Sequence, residues 1–321
     1  MGKVFLMGSL TALLALFAWG AERSEETLDA GEIRIRDPFI LSEGGTYYLY
    51  ASRGPAGVMV YRSEDLKRWK KAVPVMDVPK EWGCSSVWAP EVHRYGDSYY
   101  LFVTLSFVHA RPRPKRIYPD WKKTQRRGTW IFRSKTPLGP FKPLKNGSHT
   151  PESWMALDGT LCVQNGKPYM VFCHEWVQVI DGTVERVALK EDLSDIEGRP
   201  VTLFAASSAQ NSTEGRRRGR VTDGPFLFRS KNGNLFMIWS TFLKGRYCVL
   251  VTRSRSGRIE GPWGKHSPLF TGDGGHGMIF RDKAGRLLMA LHAPNGGNAE
   301  RLKLVELAER GDTLARKTGG E

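Results

Sequence analysis

The sequence predicts an all-β fold, a five-bladed β-propeller whose blades are four-stranded antiparallel sheets. Three observations lead to this prediction. A short polar head, followed about ten residues later by an aromatic or apolar strand, occurs five times along the chain of 321 residues. The heads recur at intervals of roughly 50 to 70 residues, which is typical of propeller blades. Patterns of helical period are almost absent except at the ends of the chain, so an α/β barrel is disfavoured.

Each head opens a predicted β-hairpin. The five heads are Asp37-Pro38-Phe39, Ala89-Pro90-Glu91, Asp158-Gly159-Thr160, Asp223-Gly224-Pro225 and His276-Gly277-Met278. The hairpin turns that follow are Glu43-Gly44-Gly45, Tyr95-Gly96-Asp97, Gln164-Asn165-Gly166, Lys231-Asn232-Gly233 and Lys283-Ala284-Gly285. Because each head would begin the innermost strand of its blade, we expect the heads to meet around one axis.

A third β-rich run follows the hairpin in most repeats. These runs are Val58–Tyr61, Thr129–Phe132, Glu185–Ala188 and Tyr247–Val251. A Ser-led turn and then an aromatic residue recur after this strand, at Trp69, Phe141 and Trp263. We expect these aromatic side chains to pack between blades.

The N-terminus has the pattern of a secretory signal peptide. Lys3 precedes an apolar run from Val4 to Trp19. Cleavage after Gly20 would place Ala18 and Gly20 at the third and first positions before the cut, which require small residues. A secreted or periplasmic protein is therefore expected. The run is shorter than the ~20 residues that span a bilayer comfortably, and no later segment resembles a transmembrane span, so no stable membrane insertion is expected.

We therefore expect a signal peptide over residues 1–20, one propeller domain over residues 28–310 and a polar C-terminal tail over residues 311–321. The chain has four cysteines, too few for a disulfide scaffold. Cys162 and Cys173 fall on the two limbs of one predicted hairpin and could pair across it, but buried free thiols are the favoured interpretation. No CxxC-type metal spacing occurs.

The formal net charge of +15 favours anionic partners through long-range attraction. Basic residues cluster at Arg111-Arg113-Lys115-Arg116, Lys122-Lys123-Arg126-Arg127 and Arg216-Arg217-Arg218-Arg220. Nucleic acid is disfavoured for an exported protein that has no nucleic-acid motif. An acidic polysaccharide fits the charge better, and solvated loop faces are the alternative. We expect a monomer.

Three of the heads carry aspartates that could perform hydrolysis of a glycosidic bond. That reaction usually requires a proton donor for the leaving oxygen and a base or nucleophile on the opposite face of the sugar. Inverting enzymes hold the two carboxyl groups about 6.5–9.5 Å apart, and a third carboxylate can raise the pKa of the acid. Asp37, Asp158 and Asp223 could fill these roles; the alternative for each is a turn residue that bonds backbone amides.

At these positions the chain resembles glycoside hydrolase family 43, the five-bladed propeller family of arabinofuranosidases, xylosidases and arabinanases. The resemblance covers nearly all of the mature chain. It lies in the motifs Arg36-Asp37-Pro38-Phe39-Ile40, Trp88-Ala89-Pro90-Glu91-Val92, Ala156-Leu157-Asp158-Gly159-Thr160, Val221-Thr222-Asp223-Gly224-Pro225-Phe226 and His276-Gly277.

The resemblance implies Asp37 as general base, Asp158 as the modulator of the acid's pKa and Asp223 as general acid. The family usually has Glu-Gly-Pro at the fourth head, and Asp223 is one methylene shorter than that glutamate. Three interpretations stay open: Asp223 is the acid with a shifted sugar, Glu175 replaces it, or hydrolysis has been lost.

Other polar and aromatic residues are candidates for substrate binding. His174, Glu175 and Trp176 interrupt a strand otherwise suited to burial, and Trp88, Trp154 and Trp176 could stack on sugars, with core packing as the alternative. Glu91 is predicted as pocket wall or structural acceptor and secondarily as a sugar ligand. His276 is similar to an axial histidine that helps hold an ion or water in many members, so a single calcium ion could lie there. No organic cofactor is needed.

The resemblance implies an inverting glycoside hydrolase that releases pentose units, α-L-arabinofuranosyl or β-D-xylosyl, from polysaccharide or oligosaccharide. One alternative is a carbohydrate-binding propeller without catalysis, because the acid is shortened. The other is a related propeller glycoside phosphorylase, because phosphorolysis requires cations around a phosphate and the loops are basic. Turnover that depends on added phosphate would identify the phosphorylase.

Overall fold

The computed structural model describes Gly2 and residues 26–108, 125–213 and 219–317. Apart from Gly2, the predicted signal peptide of residues 1–20 lies outside the described residues. So do the basic residues at positions 111–116, 122–123 and 216–218. Within the described part of the chain, no helix is both long and apolar enough to cross a membrane.

Five antiparallel sheets follow one another along the chain, so the predicted five-bladed β-propeller is confirmed. In the first sheet a short strand, β1 (Thr27–Asp29), adds to the outer edge of four others. These four are β2 (Phe39–Glu43), β3 (Thr46–Ser52), β4 (Gly57–Ser63) and β5 (Arg68–Asp77). Blade 2 contains β6 (Cys84–Tyr95), β7 (Ser98–Val108), β8 (Gln125–Ser134) and β9 (Lys142–Pro143).

The remaining three blades repeat the same order. Blade 3 contains β10 (Ala156–Gln164), β11 (Lys167–His174), β12 (Thr183–Leu189) and β13 (Ile196–Ala205), with the short helix α1 (Trp176–Val179) after β11. Blade 4 contains β14 (Asp223–Arg229), β15 (Leu235–Leu243), β16 (Arg246–Arg253) and β17 (Ser267–Phe270). Blade 5 contains β18 (Gly275–Arg281), β19 (Leu287–Ala293), β20 (Arg301–Arg310) and β21 (Thr313–Arg316). Short 3₁₀ turns occur at Ala30–Glu32, Gly54–Ala56, Lys80–Trp82, Ala206–Ser208 and Gly297–Ala299.

The predicted hairpins join the first two strands of each blade. In blade 3, Gln164 pairs with Lys167 across a two-residue turn of Asn165 and Gly166, whose φ angles are 53° and 77°. Two consecutive positive φ values are what the tightest hairpin turn requires, and Asn-Gly tolerates them best. The predicted packing of an aromatic residue between blades is confirmed at Trp263, whose ring lies 6.4 Å from that of Phe204 in blade 3.

One expectation about the chain needs correction. The predicted polar tail includes Thr313–Arg316, but these residues form β21, the outer strand of blade 5. The strand is held there because the Leu314 side chain points into the core and is buried. The favoured interpretation of the cysteines as free thiols is confirmed for all four. Cys162 and Cys173 do lie on the two limbs of one hairpin, but Cys162 pairs with Tyr169 whereas Cys173 pairs with Leu157, so they occupy different rungs.

The first and last blades meet through the segment that precedes β2. Arg34 forms an isolated antiparallel bridge with Arg301 at the start of β20. Two residues later, Arg36 Nη1 donates a hydrogen bond of 2.5 Å to Glu300 Oε1. This junction fixes the backbone immediately before Asp37 against blade 5, and it therefore sets where the Asp37 carboxylate points.

Candidate active site

A backbone irregularity recurs at the inner end of every blade. One residue in each inner strand or its lead-in has a positive φ: Asp37 (51°), Ala89 (46°), Asp158 (58°), Gly224 (49°) and His276 (51°). In four blades the pairing register of the inner strand also shifts there, as in a β-bulge. Bulges re-aim side chains, and positive φ at residues other than glycine is uncommon and concentrates at functional sites.

In blade 4 the bulge falls on Gly224 and not on the predicted head residue Asp223. Asp223 lies one position earlier, pairs with Ser240 and begins β14. A side chain at position 224 would not fit, since a Cβ there would lie 2.8 Å from Cδ2 of His276. The Asp223 carboxyl therefore lies beside the five residues with positive φ and is not one of them. The predicted alignment of the fourth head with the others was wrong by one residue.

His276 bridges two of the predicted aspartates. Its Nδ1 lies 3.2 Å from Asp37 Oδ1 and 3.7 Å from Asp158 Oδ2. Asp37 Oδ1 also lies 3.7 Å from Arg36 Nε and 3.4 Å from His292 Nδ1. Burial by itself would raise the pKa of Asp37, but the positive charges of His276 and Arg36 outweigh it and hold that pKa below its ordinary value.

The pKa values of the other two aspartates shift in the opposite direction. Burial, reinforced by the charge of Asp37, raises the pKa of Asp158 well above its usual value, although the Gly224 N–H donates to its Oδ2 at 3.0 Å. Asp223 is partly exposed to a cavity but lies deep in the molecule. Burial and then the neighbouring Asp158 raise the pKa of Asp223 to about 8. Tyr247, whose hydroxyl donates to Asp223 Oδ2 at 2.9 Å, acts against this rise.

These groups line one cavity of about 430 Å³ at the inner ends of the blades. The structure thus brings together seven of the predicted site residues. They are Asp37, Trp88, Asp158, Glu175, Trp176, Asp223 and His276. The remaining lining residues are Arg36, Leu157, Val221, Phe242, Tyr247 and Asn295. A second cavity of about 610 Å³ shares Arg36, Asp37 and Trp88 with the first and continues over blades 1 and 2.

Glu175 is held by a buried arginine. Arg127 Nη1 donates to Glu175 Oε2, and Arg127 Nε donates to Ser106 Oγ at 2.7 Å. The same guanidinium lies 4.2 Å above the ring of Trp88. Burial raises the pKa of Glu175, and Arg127 opposes the rise. To act as a proton donor, Glu175 would therefore have to break its buried ion pair with Arg127 in every catalytic cycle.

Three predicted substrate-binding residues do not line the cavity. Glu91 is buried two residues beyond the bulge of its strand and accepts a contact of 3.0 Å from His93 Nε2, which fits the structural role that was predicted first. Trp154 and His174 stack on each other with ring centroids 4.0 Å apart. His174 also contacts Gln178 at 2.9 Å. Contact of Trp154 and His174 with a sugar remains a prediction.

The calcium ion expected at His276 stays a prediction. Calcium takes six to eight oxygen ligands. His276 Nδ1 points at the two carboxylates, and the opposite edge of its ring packs on Gly224. Among the described residues, no group of three His, Cys, Asp or Glu side chains could hold a metal ion.

Tyr247 and His292 are site residues that sequence reasoning missed. Tyr247 lies in a third strand and reads as an ordinary core aromatic, and His292 lies in a second strand. Their rings are nearly parallel, with centroids 5.8 Å apart. No local sequence pattern marks either residue; the structure shows Tyr247 packed on Gly275 so closely that a Cβ there would lie 2.3 Å from Cε1 of Tyr247.

Comparison with known proteins identifies the family of the chain. The family model of glycosyl hydrolases family 43 matches residues 31–319. The extracellular exo-α-(1→5)-L-arabinofuranosidase ArbA of Cellvibrio japonicus is 21% identical over 294 residues, which cover 86% of this chain and 76% of ArbA.

Solved structures are similar over most of the chain. An endo-arabinase of Bacteroides thetaiotaomicron is 36% identical, with a TM-score of 0.77 over 88% of this chain and 98% of that one. An endo-1,4-β-xylanase from the same organism has the same fold at 22% identity, with a TM-score of 0.71 over 92% of this chain and 97% of that one. The family match spans almost the whole described propeller and includes every aspartate of the cavity, so the chain belongs to glycosyl hydrolases family 43.

Proposed function

We propose that this glycosidase cleaves α-L-arabinofuranosyl linkages of arabinan with inversion, using Asp37 as base and Asp223 as acid. The observation that carries the proposal is the opposite shift of two pKa values within one cavity. The pKa of Asp37 lies below its ordinary value, whereas that of Asp223 is about 8. Two carboxyl groups whose environments separate their pKa values in this way are the usual mark of an acid and base pair.

At neutral pH the two groups are in the protonation states that hydrolysis requires. Ionised Asp37 removes a proton from water as that water attacks the anomeric carbon. Protonated Asp223 gives its proton to the leaving oxygen. Asp158 and Asp223 disfavour each other's ionisation, which helps to keep a proton on Asp223 until the substrate is bound.

A chain of contacts joins the proposed base to the proposed acid. Asp37 contacts His276, His276 contacts Asp158, and Asp158 accepts from the peptide N–H of Gly224, next to Asp223. Inverting hydrolases need room for a water molecule between the base and the sugar, whereas retaining enzymes hold the two carboxyl groups closer together. Inversion is proposed here because the family resemblance implies it, and the anomer of the first product tests it.

Asp223 fits the acid role better than Glu175. The carboxyl of Asp223 accepts one hydrogen bond, from the neutral Tyr247 hydroxyl. Glu175 forms a buried ion pair with Arg127, and protonation of Glu175 would break that pair. Arabinan is the first substrate to test because ArbA and the Bacteroides endo-arabinase act on arabinosyl linkages by name; xylan is the second, because of the xylanase.

The test is to incubate the protein with debranched arabinan and with xylan and to follow the anomeric protons of the first products by NMR. We expect arabinose or arabino-oligosaccharides that appear first as the β-anomer, and no product from Asp37→Asn. Retention of the α-anomer would overturn the inverting mechanism. Products that require phosphate would identify the phosphorylase, and binding of arabinan without any product would identify a carbohydrate-binding propeller.

We also propose that the protein is exported. The motivation is the signal-peptide pattern at residues 1–20, together with the extracellular designation of ArbA. N-terminal sequencing of the exported protein should begin at Ala21. A mature protein that retains Lys3 would contradict cleavage.

A further inference from the structure

The β15–β16 hairpin separates the catalytic cavity from another one. Phe242 and Tyr247 form a cross-strand pair, and both line the catalytic cavity. The next pair towards the turn, Leu243 and Arg246, lines a different cavity of about 560 Å³. Successive side chains of a strand point to opposite faces, so this one hairpin forms a wall of both cavities.

The lining of this outer cavity is basic. Lys244, Arg246 and Lys265 contribute to it, and none of the three forms an ion pair within the described part of the chain. Among the described residues, no aspartate or glutamate lines the cavity. The catalytic cavity has the opposite character, with four carboxyl groups in its lining.

A buried histidine adds a neutral donor to the same wall. The Nε1–H of Trp239 donates to His266 Nδ1 at 3.0 Å, which leaves the ring proton of neutral His266 on Nε2. The ring is buried against Phe204 and borders the cavity. Burial lowers the pKa of His266 to about 4, so it stays neutral at physiological pH and offers a hydrogen-bond donor without adding charge.

We propose that this outer cavity, lined by Lys244, Arg246, Lys265 and His266, binds the carboxylate of a uronic acid in an acidic polysaccharide. Cations and N–H groups that lack acidic partners are the donors that a carboxylate requires. The net charge of +15 would also draw a polyanion towards the molecule. The inference rests on the proposed function and extends it. Only the β15–β16 hairpin separates the two cavities, so a polymer whose pentose part lies in the catalytic cavity could place an acidic part in this site.

The test measures binding of trigalacturonate by isothermal titration calorimetry. We compare the parent protein with the double variant Arg246→Gln, Lys265→Gln, and with Lys231→Gln as a matched control. Lys231 is exposed in the β14–β15 turn, at the other end of the same blade. Loss of hydrogen bonds to a charged group should weaken binding by the double variant roughly tenfold or more. Lys231→Gln should bind as the parent does, and raised salt should weaken parental binding.

The result that would overturn the proposal is a parent protein that does not bind trigalacturonate, or a double variant that binds it as tightly as the parent. Inorganic phosphate and sulfate are titrated in parallel, and binding of these ions without trigalacturonate would overturn the uronate assignment. The double variant should hydrolyse a neutral aryl arabinofuranoside at the parental rate. A parent that binds trigalacturonate but releases no pentose would contradict the proposed function and leave this site intact.

Discussion

The hydroxyl of Tyr247 donates a hydrogen bond of 2.9 Å to Asp223 Oδ2. The Tyr247 ring lies nearly parallel to that of His292, whose Nδ1 accepts a hydrogen bond from the backbone N–H of Asp37. Tyr247 therefore contacts the proposed acid directly. It is linked to the proposed base, Asp37, only through the ring of His292. It fixes one oxygen of Asp223 and leaves the other to carry the proton.

Tyr247→Phe should lower kcat about tenfold, because the acid loses the hydrogen bond that orients it. The hydroxyl donates to the ionised form of Asp223, so its removal should also raise the pKa of Asp223 above about 8. The alkaline limb of the kcat profile should move to higher pH, which a purely structural defect would not produce. In an Asp223→Asn background the same substitution should have little further effect on kcat.

Asp223→Asn should lower kcat on arabinan by about 10² to 10⁴-fold, the usual contribution of a general acid. An aryl arabinofuranoside with a dinitrophenyl leaving group should lose much less, because that leaving group needs no proton. Asp223→Glu keeps a carboxyl group and should stay within about tenfold of the parent. If Glu175→Gln shows the leaving-group dependence and Asp223→Asn does not, Glu175 is the acid.

The pH dependence of kcat/KM should follow the two shifted aspartates. Activity should fall above about pH 8 as Asp223 loses its proton. The acid limb should lie below the ordinary range of aspartate, because the pKa of Asp37 is lowered. The profile is measured on a neutral substrate over the range in which the protein stays folded. An alkaline limb that is unchanged in Asp223→Glu and Tyr247→Phe would argue against Asp223.

The stability of the fold should fall with rising pH for the same reason. The folded pKa of Asp223, about 8, lies above its unfolded value of 3.8, so between these values the folded state holds a proton that the unfolded state has released. The contribution is complete below about pH 4 and is lost as pH rises to 8, by at most about 1.4 kcal/mol per unit. Asp223→Asn removes it, so urea unfolding should show the variant gaining on the parent from pH 5 to pH 8. Parallel pH curves for the two proteins would contradict the raised pKa.

Gly224→Ala should disrupt the site, because the new methyl group would meet the ring of His276 at a backbone φ of 49°. We expect a loss of about 1–3 kcal/mol in the free energy of unfolding and a large fall in kcat. Gly166→Ala is the matched control, since its φ is also positive but nothing lies within 4 Å of the added Cβ. Urea unfolding and kcat are measured for both. Equal effects in the two variants would mean that backbone strain, and not the contact with His276, is responsible.

Much of the fold and part of the site could be predicted from local patterns. The order of head, turn and strand recurs because every blade packs against its neighbours in the same way. A turn such as Asn165-Gly166 can be predicted locally, because these two residue types favour the positive φ angles that the turn requires. Asp37, Asp158 and His276 were predicted to converge because each opens a head of the repeat, and the structure places them in contact. Trp154 and His174 looked like sugar-binding residues from their chemistry alone, yet they stack on each other outside the cavity.

The sequence by itself determined the number of blades and which aspartates approach the axis, because both follow from the head, turn and strand pattern that recurs five times. Only the tertiary structure decided that the fourth bulge falls on Gly224, that Tyr247 reaches Asp223, and that the pKa values of Asp37 and Asp223 separate. Pairing register across strands sets which way each side chain points, and a slip of one residue reverses it. Burial and neighbouring charge, which set the pKa values, come from residues far apart in the chain.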